Sequence, residues 1–412
     1  SNWKELTSLV LSPGVPHKFP EPHPVVKLAL AAGCEVIGDI ELLARTQRDS
    51  AYIGVTGTNG KSTTTALIGH IMQVSGRDAE VGGNLGVPAL DLLPMGNEGV
   101  YVLEMSSFQL ELTMSITFDV AVLLNISADH LDRYDGMDGY IAAKKSIFNR
   151  QTAPRTAVVG VDDDLSRAVC EELKAAGDAV VVPVSGRGRV PGGVYVEDGI
   201  LYDGTEGAPL AILDLKPVSS LPGVHNWQNA AAAYAAAKAA GVDPRAVMAC
   251  IQSYPGLVHR QEMVSVVDGV GYVNDSKATN PDAAACALAC YDPIYWIAGG
   301  RSKDGGLEAL EPHLGRIAHA YLIGEAADAF AQALDGKVEV TLSGDLESAV
   351  KQAGAQAKKD KAAEPVVLLS PACASFDQFD DFEARGDAFR DLVEKLPGRH
   401  EEEFESADGE GR

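Results

Sequence analysis

Residues 54–65, GVTGTNGKSTTT, carry the groups that meet a phosphate. Glycines bare the backbone N–H groups, Lys61 supplies a point charge, and the hydroxyl of Ser62 or Thr63 can reach a magnesium ion. Gly57, Thr58, Asn59 and Gly60 make the turn itself. The strict pattern G-x-x-x-x-G-K-[ST] is not met, because Val55 stands where its first glycine belongs. That departure disfavours a P-loop kinase. A glycine-rich turn with an exposed lysine is the plainer alternative. However, a strand pattern at Tyr52–Val55 leads in and a helical pattern at Ser62–Ser75 leads out, which is the order a phosphate loop requires.

Further polar groups stand where apolar runs stop. Glu104 ends the run Val100–Glu104, a costly place for a carboxylate unless a cation or donor meets it. His130 lies just beyond the run Val120–Ile126. Together they suit a divalent ion, with the histidine a minority ligand because magnesium prefers oxygen. The pair Lys144-Lys145 reads, on pattern alone, as solvated charge on a helix. Asn226 and Asn229 open an alanine-rich helix; they could cap it or offer an amide edge to a base. GLVHR (256–260) falls at a domain junction, where ligand clefts are common. Three strings, NDSKATNP (274–281), AGGRSKD (298–304) and SPACASFDQFDDF (370–382), each follow a strand. Lysines, small hydroxyls and backbone N–H groups there would make an anion pocket. Turn chemistry explains any one string more easily than all three.

Short β-branched runs alternate with helical patterns almost throughout, so the fold expected is α/β with a mostly parallel sheet in each large domain. Chemistry at the C-terminal ends of strands agrees with where open α/β sheets bind ligands. Residues 192–204 read as a hairpin, and Gly271–Asn274, Ile294–Ala298, Ala320–Ile323, Val338–Leu342 and Val366–Leu369 as later strands. Boundaries are expected near residues 45–50 and 255–256. They give a short first segment at 1–46, a central domain at 47–256 and a last domain at 257–412, whose end, 401–412, is acidic and expected to be disordered. A net charge of −24 argues against non-specific binding to nucleic acid or an anionic membrane, since both reward a basic face. Six scattered cysteines without a CxxC suit a reducing cytoplasm, with Cys286 and Cys290 read as buried packing. Neither a leader nor a membrane-spanning run is legible.

GTNGKST, EMSSFQL, NISADHLDRY, YIAAK, GVHNWQN, HR, NDSKATN and SPACASFDQF, in this order, resemble the Mur ligases, and within that family the D-glutamate-adding member. The resemblance covers the central and last parts nearly end to end. It implies a P-loop-type ATP-binding central domain, a Rossmann-like C-terminal domain and a partial Rossmann-like N-terminal domain. It also implies cytoplasmic peptidoglycan precursor synthesis, through an acyl phosphate, from UDP-N-acetylmuramoyl-L-alanine, D-glutamate and ATP with Mg2+, by a monomer. Lys61 and its loop would hold the ATP phosphates; Ser62, Glu104, His130 and Lys144 would serve the metal, with Lys144 carbamylated. That reverses the reading of Lys144 as solvated charge. Asn226, Asn229, His259, Arg260 and Asp275 would face the nucleotide, and Lys277 the junction with the substrate. Thr279, Lys303, Ser375 and Phe382 match positions that recognise D-glutamate, while Ser12, Gly14, Asn84, Ser106 and Gln109 match those holding the muramoyl substrate. Of the UDP-gripping N-terminal domain, only the final part is expected, with LSPGVP (11–16) as its substrate-side turn. Another ligase of this build, such as a folylpolyglutamate synthase, and a non-catalytic nucleotide-binding module are the alternatives.

Overall fold

A computed structural model describes residues 3–302 and 306–401. The chain divides into two compact units, Ser1–Val218 with Val224–Tyr254, and Ser219–Gly223 with Pro255–Arg412. Lys303 and the tail from residue 402 lie outside the described residues.

The first unit is built on a nine-stranded sheet. Its order is Leu210–Asp214, Ile200–Asp203, Val194–Glu197, Val180–Ser185, Thr156–Gly160, Val120–Leu123, Ala51–Thr56, Val100–Glu104 and Ala79–Gly83. Pairings are parallel from Ala79–Gly83 across to Val194–Glu197, and the last two are antiparallel. Strands Val100–Glu104 and Val120–Leu123 are buried along their whole length. Helices cover both faces, which is why these strands read as unbroken apolar runs rather than alternating ones. Ala51–Thr56 lies between Val100–Glu104 and Val120–Leu123, so the chain reverses its winding direction beside it. Ligands of open α/β sheets bind at such a reversal. The helix Gly223–Ala239 buries every alanine from Ala230 to Ala237. Side chains of one carbon let it lie close against its neighbours.

Residues 1–46, expected as a remnant, contribute a two-stranded parallel ribbon, Ser8–Val10 beside Glu35–Ile37, with the helix Pro24–Ala31 between them. Its small core of Leu11, Val26, Ala29, Cys34 and Val36 takes in Leu112. The attachment is also polar. Glu41, fully buried on the helix Asp39–Thr46, accepts from the backbone N–H of Met114 at 2.7 Å and of Ser115 at 2.8 Å, and pairs with Arg45 at 2.7 Å.

The second unit carries a seven-stranded sheet ordered Val340–Gly344, Ile317–Ile323, Ile294–Gly299, Val366–Leu369, Val270–Asn274, Glu262–Val267 and His400–Glu401. Its first four pairings are parallel, and the last two antiparallel. Alternate residues divide into two cores. Trp296, Leu368 and Val273 join Phe330 on one face, while Tyr295, Ile297, Leu369 and Tyr272 join Phe389 on the other. That is the two-residue period of a strand covered on both sides. Asn274 stands opposite Leu369, and Leu369 opposite Ile297, so the three polar strings leave one edge together. Cys286 and Cys290 are half-buried rather than buried, and the Cys290 thiol donates to the Cys286 carbonyl at 3.1 Å. All six cysteines are free. No helix among the described residues is long and apolar enough to cross a membrane.

Burial raises the Glu41 pKa, but the hydrogen bonds from Ser115, Met114 and Arg45 outweigh it and leave the carboxyl below its ordinary range. Glu41→Gln should destabilise the first unit by about 1–3 kcal/mol at neutral pH, the scale of a buried charge-assisted hydrogen bond lost. Because the folded pKa is depressed, this contribution is complete above the ordinary glutamate range. It fades as pH falls through the folded value. Urea unfolding of wild type and variant at pH 7 and pH 4 checks it: the gap should narrow at the lower pH.

Candidate functional site

The turn after Ala51–Thr56 is shaped by two glycines. Gly57 has φ +153° and Gly60 φ +82°, both in the region that favours glycine. A Cβ on Gly60 would come within 2.4 Å of the Asn229 side-chain oxygen. Gly60 precedes the helix Lys61–Val74 and no side chain caps that end, so its first N–H groups face the turn. The turn is braced from the neighbouring strand: Asn125 accepts from the Thr58 N–H at 2.9 Å and, through its side chain, from the Asn59 N–H at 2.8 Å.

Both lysines singled out in the sequence meet here. Lys61 Nζ donates to the carbonyls of Gly57 at 2.9 Å and Thr58 at 2.8 Å. Lys144 Nζ donates to the same Gly57 carbonyl at 2.8 Å. Lys144 is 2% exposed, so the solvated-charge reading of the pair fails for it. Its neighbour Lys145 is the outward one, paired with Glu172. Burial first, and then the charge of Lys61, pull the Lys144 pKa down to about 7. The Lys144 ammonium also lies 4.6 Å over the Tyr140 ring.

Glu104 is buried on the strand beside the loop, opposite Val55. Its Oε1 accepts from Asn84 Nδ2 at 2.6 Å, whereas Oε2 is buried with no partner. An orphaned carboxylate oxygen next to a phosphate turn is the kind of hard donor magnesium takes, and Ser62 lies at the same helix start. His130 joins less directly. It is half exposed in a left-handed turn, 3.5 Å from Asp129 and tilted against Phe108. Among the described residues no three histidine, cysteine or carboxylate side chains gather tightly enough to hold a metal ion. The oxygen donors fit the ion better than the imidazole does.

Other expected residues take up local duties. Ser106 and Gln109 close a capping box on the short helix Ser107–Glu111. Their S-x-x-Q spacing is a sequence signal for that role. Asn226 and Asn229 sit one and two turns inside the helix Gly223–Ala239 rather than at its cap, bonded to each other at 3.1 Å. Arg133 donates to the Gly14 carbonyl at 3.2 Å, and Ser12 accepts from the Val15 N–H at 2.9 Å, which ties down the early turn.

In the second unit, the expected residues cluster at the shared sheet edge. Asp275 is deeply buried; burial raises its pKa to about 7, against the Ser370 hydroxyl at 2.8 Å and the Gln261 N–H at 3.2 Å. His259 is held by Asn274 at 3.0 Å, and its backbone precedes Arg260 in a left-handed turn. The His259 carbonyl accepts from the Lys277 N–H at 3.1 Å. Lys277 Nζ lies 3.7 Å over the Phe382 ring. Thr279 follows in the same string, and Ser375 is buried in the facing one.

The profile described as "Mur ligase middle domain" matches residues 55–237, and that described as "Mur ligase, glutamate ligase domain" matches residues 259–373. The chain is 54% identical over 396 residues to UDP-N-acetylmuramoylalanine--D-glutamate ligase of Rhodospirillum rubrum, covering 96% of this chain and 83% of that one. It is 52% identical over 402 residues to the ligase of the same name from Caulobacter vibrioides, covering 96% and 85%. Solved structures share the fold at low identity. One is the UDP-N-acetylmuramoylalanyl-D-glutamyl-2,6-diaminopimelate--D-alanyl-D-alanyl ligase of Acinetobacter baumannii (TM-score 0.62, 18% identity, 90% and 86% covered). Another is folylpolyglutamate synthase of Mycobacterium tuberculosis (TM-score 0.58, 18% identity, 88% and 95% covered). The chain belongs to the Mur ligase family. Members of that family are ATP-dependent, amide-bond-forming ligases, and so is this chain.

Gly60→Ala should weaken ATP binding by about tenfold or more, since an added methyl must displace Asn229 and a left-handed turn strains any L side chain. Titration calorimetry with ATP checks this, and thermal melting controls for folding.

Proposed function

We propose that this chain adds D-glutamate to UDP-N-acetylmuramoyl-L-alanine in peptidoglycan precursor synthesis, converting ATP to ADP and phosphate. The observation that carries the reading is the agreement with D-glutamate ligases over 96% of the chain, at 54% identity. A carboxylate is a poor electrophile because its charge repels an attacking amine. Transfer of the ATP γ-phosphoryl group onto the L-alanyl carboxylate yields an acyl phosphate and ADP. The D-glutamate amine then attacks the acyl carbon, a proton leaves the nitrogen, and phosphate departs as the amide forms. Such chemistry asks for positioning and charge neutralisation rather than for a nucleophile from the protein.

The residues divide accordingly. Gly57, Thr58, Asn59, Gly60, Lys61, Ser62 and Thr63 would receive the phosphates, with Lys61 trading its two carbonyls for phosphate oxygens. Magnesium, when bound, supplies positive charge to the phosphates; Glu104 and Ser62 would hold it, with His130 an outer contributor. Lys144 would add a further oxygen ligand as its carbamate, formed when the neutral amine takes up CO2 and releases a proton. Its depressed pKa supports that, because neutral amine is available near pH 7. Asn226, Asn229, His259, Arg260 and Asp275 would serve the nucleotide. Lys277, Thr279, Ser375 and Phe382, together with Lys303, would serve the amino acid, and Ser12, Gly14, Asn84, Ser106 and Gln109 the muramoyl substrate. A monomer working in the cytoplasm completes the reading, and six free thiols suit that compartment.

Phosphate release should depend on D-glutamate and fail with L-glutamate, L-alanine, L-lysine or diaminopimelate; release with one of these instead would reassign the substrate. Lys61→Ala should cut kcat by roughly 10³-fold or more, as when a fixed charge on the transferring group is lost. For Lys144, enzyme stripped of CO2 should lose activity and regain it with bicarbonate, faster as pH rises through about 7. Lys144→Ala should be rescued in part by short carboxylic acids. Indifference to bicarbonate together with a fully active Lys144→Ala would remove the carbamate from the scheme.

A further inference from the structure

The three polar strings of the second unit meet at a side chain that no motif marks. Arg385 stands in the first turn of the helix Phe382–Glu394 and is 1% exposed. Its Nε donates to Ser276 Oγ at 2.9 Å, and Nη2 to the Ser276 carbonyl at 2.8 Å. Nη1 and Nη2 both donate to the Cys373 carbonyl at 3.1 Å. Ser276 Oγ passes the contact on to the Phe382 carbonyl at 2.8 Å. A Cβ on Gly300 would lie 3.3 Å from Nη1, so the glycine string also packs against the guanidinium.

Every acceptor here is neutral. Among the described residues no carboxylate forms an ion pair with Arg385, and Asp377 acts on it only through space. Burial lowers the guanidinium pKa to about 10, which leaves it charged at neutral pH. An unpaired buried charge is expensive, and an apolar side chain of similar volume would often serve a purely structural junction as well or better. What arginine offers is a rigid planar fork that grips two chain segments at once, together with a charge that cannot be shed.

We propose that Arg385 is a positioning residue of the amino-acid pocket: it staples residues 274–280 to residues 370–376 and leaves an unneutralised positive charge behind them, so that an amino acid with two carboxylates is favoured over one with a single carboxylate. The residues it grips lie within a turn of Thr279, Ser375 and Phe382. The proposal rests on the function given above in taking D-glutamate as the ligand of that pocket.

Three variants separate the contributions: Arg385→Met removes charge and fork, Arg385→Lys keeps the charge alone, and Ser276→Ala removes one acceptor. In Arg385→Met the KM for D-glutamate should rise by about tenfold or more, with the KM for ATP within about twofold, as expected when charge-assisted bonds behind one pocket are lost. Arg385→Lys should fall between Arg385→Met and wild type. The preference for D-glutamate over D-glutamine should shrink in Arg385→Met. An unchanged D-glutamate KM in folded Arg385→Met, or an equal rise in both KM values, would overturn the proposal. If that variant does not fold, Ser276→Ala decides, with about a threefold rise in the D-glutamate KM expected for one bond and no rise overturning it. Absence of D-glutamate-dependent turnover in wild type would instead defeat the function proposed above. The staple is then judged by hydrogen exchange, where Ser276→Ala should speed the amides of 274–281 and 370–378 and leave Ile317–Ile323 unchanged. Unchanged exchange in all three segments would defeat the staple.

Discussion

The Gly57 carbonyl accepts from two ammonium groups at once, and much of the first unit is arranged so that this is possible. Gly57 must adopt a conformation other residues avoid, and Gly60 must turn left-handed so that the helix can start immediately behind the loop. Asn229 occupies the space where a Cβ at Gly60 would lie, and Asn125 ties the turn to the next strand. Two like charges on one oxygen repel, which adds to the larger effect of burial on Lys144. Lys144, the buried one, carries the depressed pKa. Bringing an anion to the loop, or turning Lys144 into an anion, relieves the same repulsion. The turn therefore concentrates positive charge where a phosphate would meet it.

The second unit handles buried charge differently. Asp275 and Arg385 are both withdrawn from solvent on the same group of loops, yet they do not pair with each other. Burial pushes the Asp275 carboxyl up to about 7 and the Arg385 guanidinium down to about 10. Each is satisfied by neutral groups instead: a hydroxyl and an N–H for the acid, carbonyls and a hydroxyl for the base. A direct ion pair would cancel both fields. Held apart, they leave distinct acidic and basic points at one sheet edge, which suits a pocket that must handle a zwitterion.

The central strands were legible because they are covered on both faces. Val100–Glu104 and Val366–Leu369 have the limits expected from their apolar runs. Ile317–Ile323 starts three residues earlier than its pattern suggested, because Ala318 is exposed and His319 half-buried, so the run looks interrupted. Among site residues, the phosphate loop was readable from local order alone. Lys144 was not, since a KK pair on a helix looks the same whether one lysine is buried or neither is. Asn226 and Asn229 looked like caps because the helix was expected to start at them; it starts at Gly223 instead, and they project from within it. Arg385 gave no signal at all. It stands among charged residues of an amphipathic helix, and only the return of two distant loops onto that helix makes it a hub.

The chain's 58 acidic residues against 34 basic ones pose a difficulty for an enzyme whose substrates are all anions. An exposed lysine on such a surface is soon paired with a carboxylate and screened, as Lys145 with Glu172 and Lys358 with Asp268 illustrate. Arg385 escapes that fate by being buried and by bonding to carbonyls and a hydroxyl, groups that orient a charge without neutralising it. On the phosphate turn Lys61, half-buried, bonds in the same way to the carbonyls of Gly57 and Thr58. Positive charge thus stays available in two places while the surface stays acidic. Burial here is what keeps an attractive field alive on a repulsive protein.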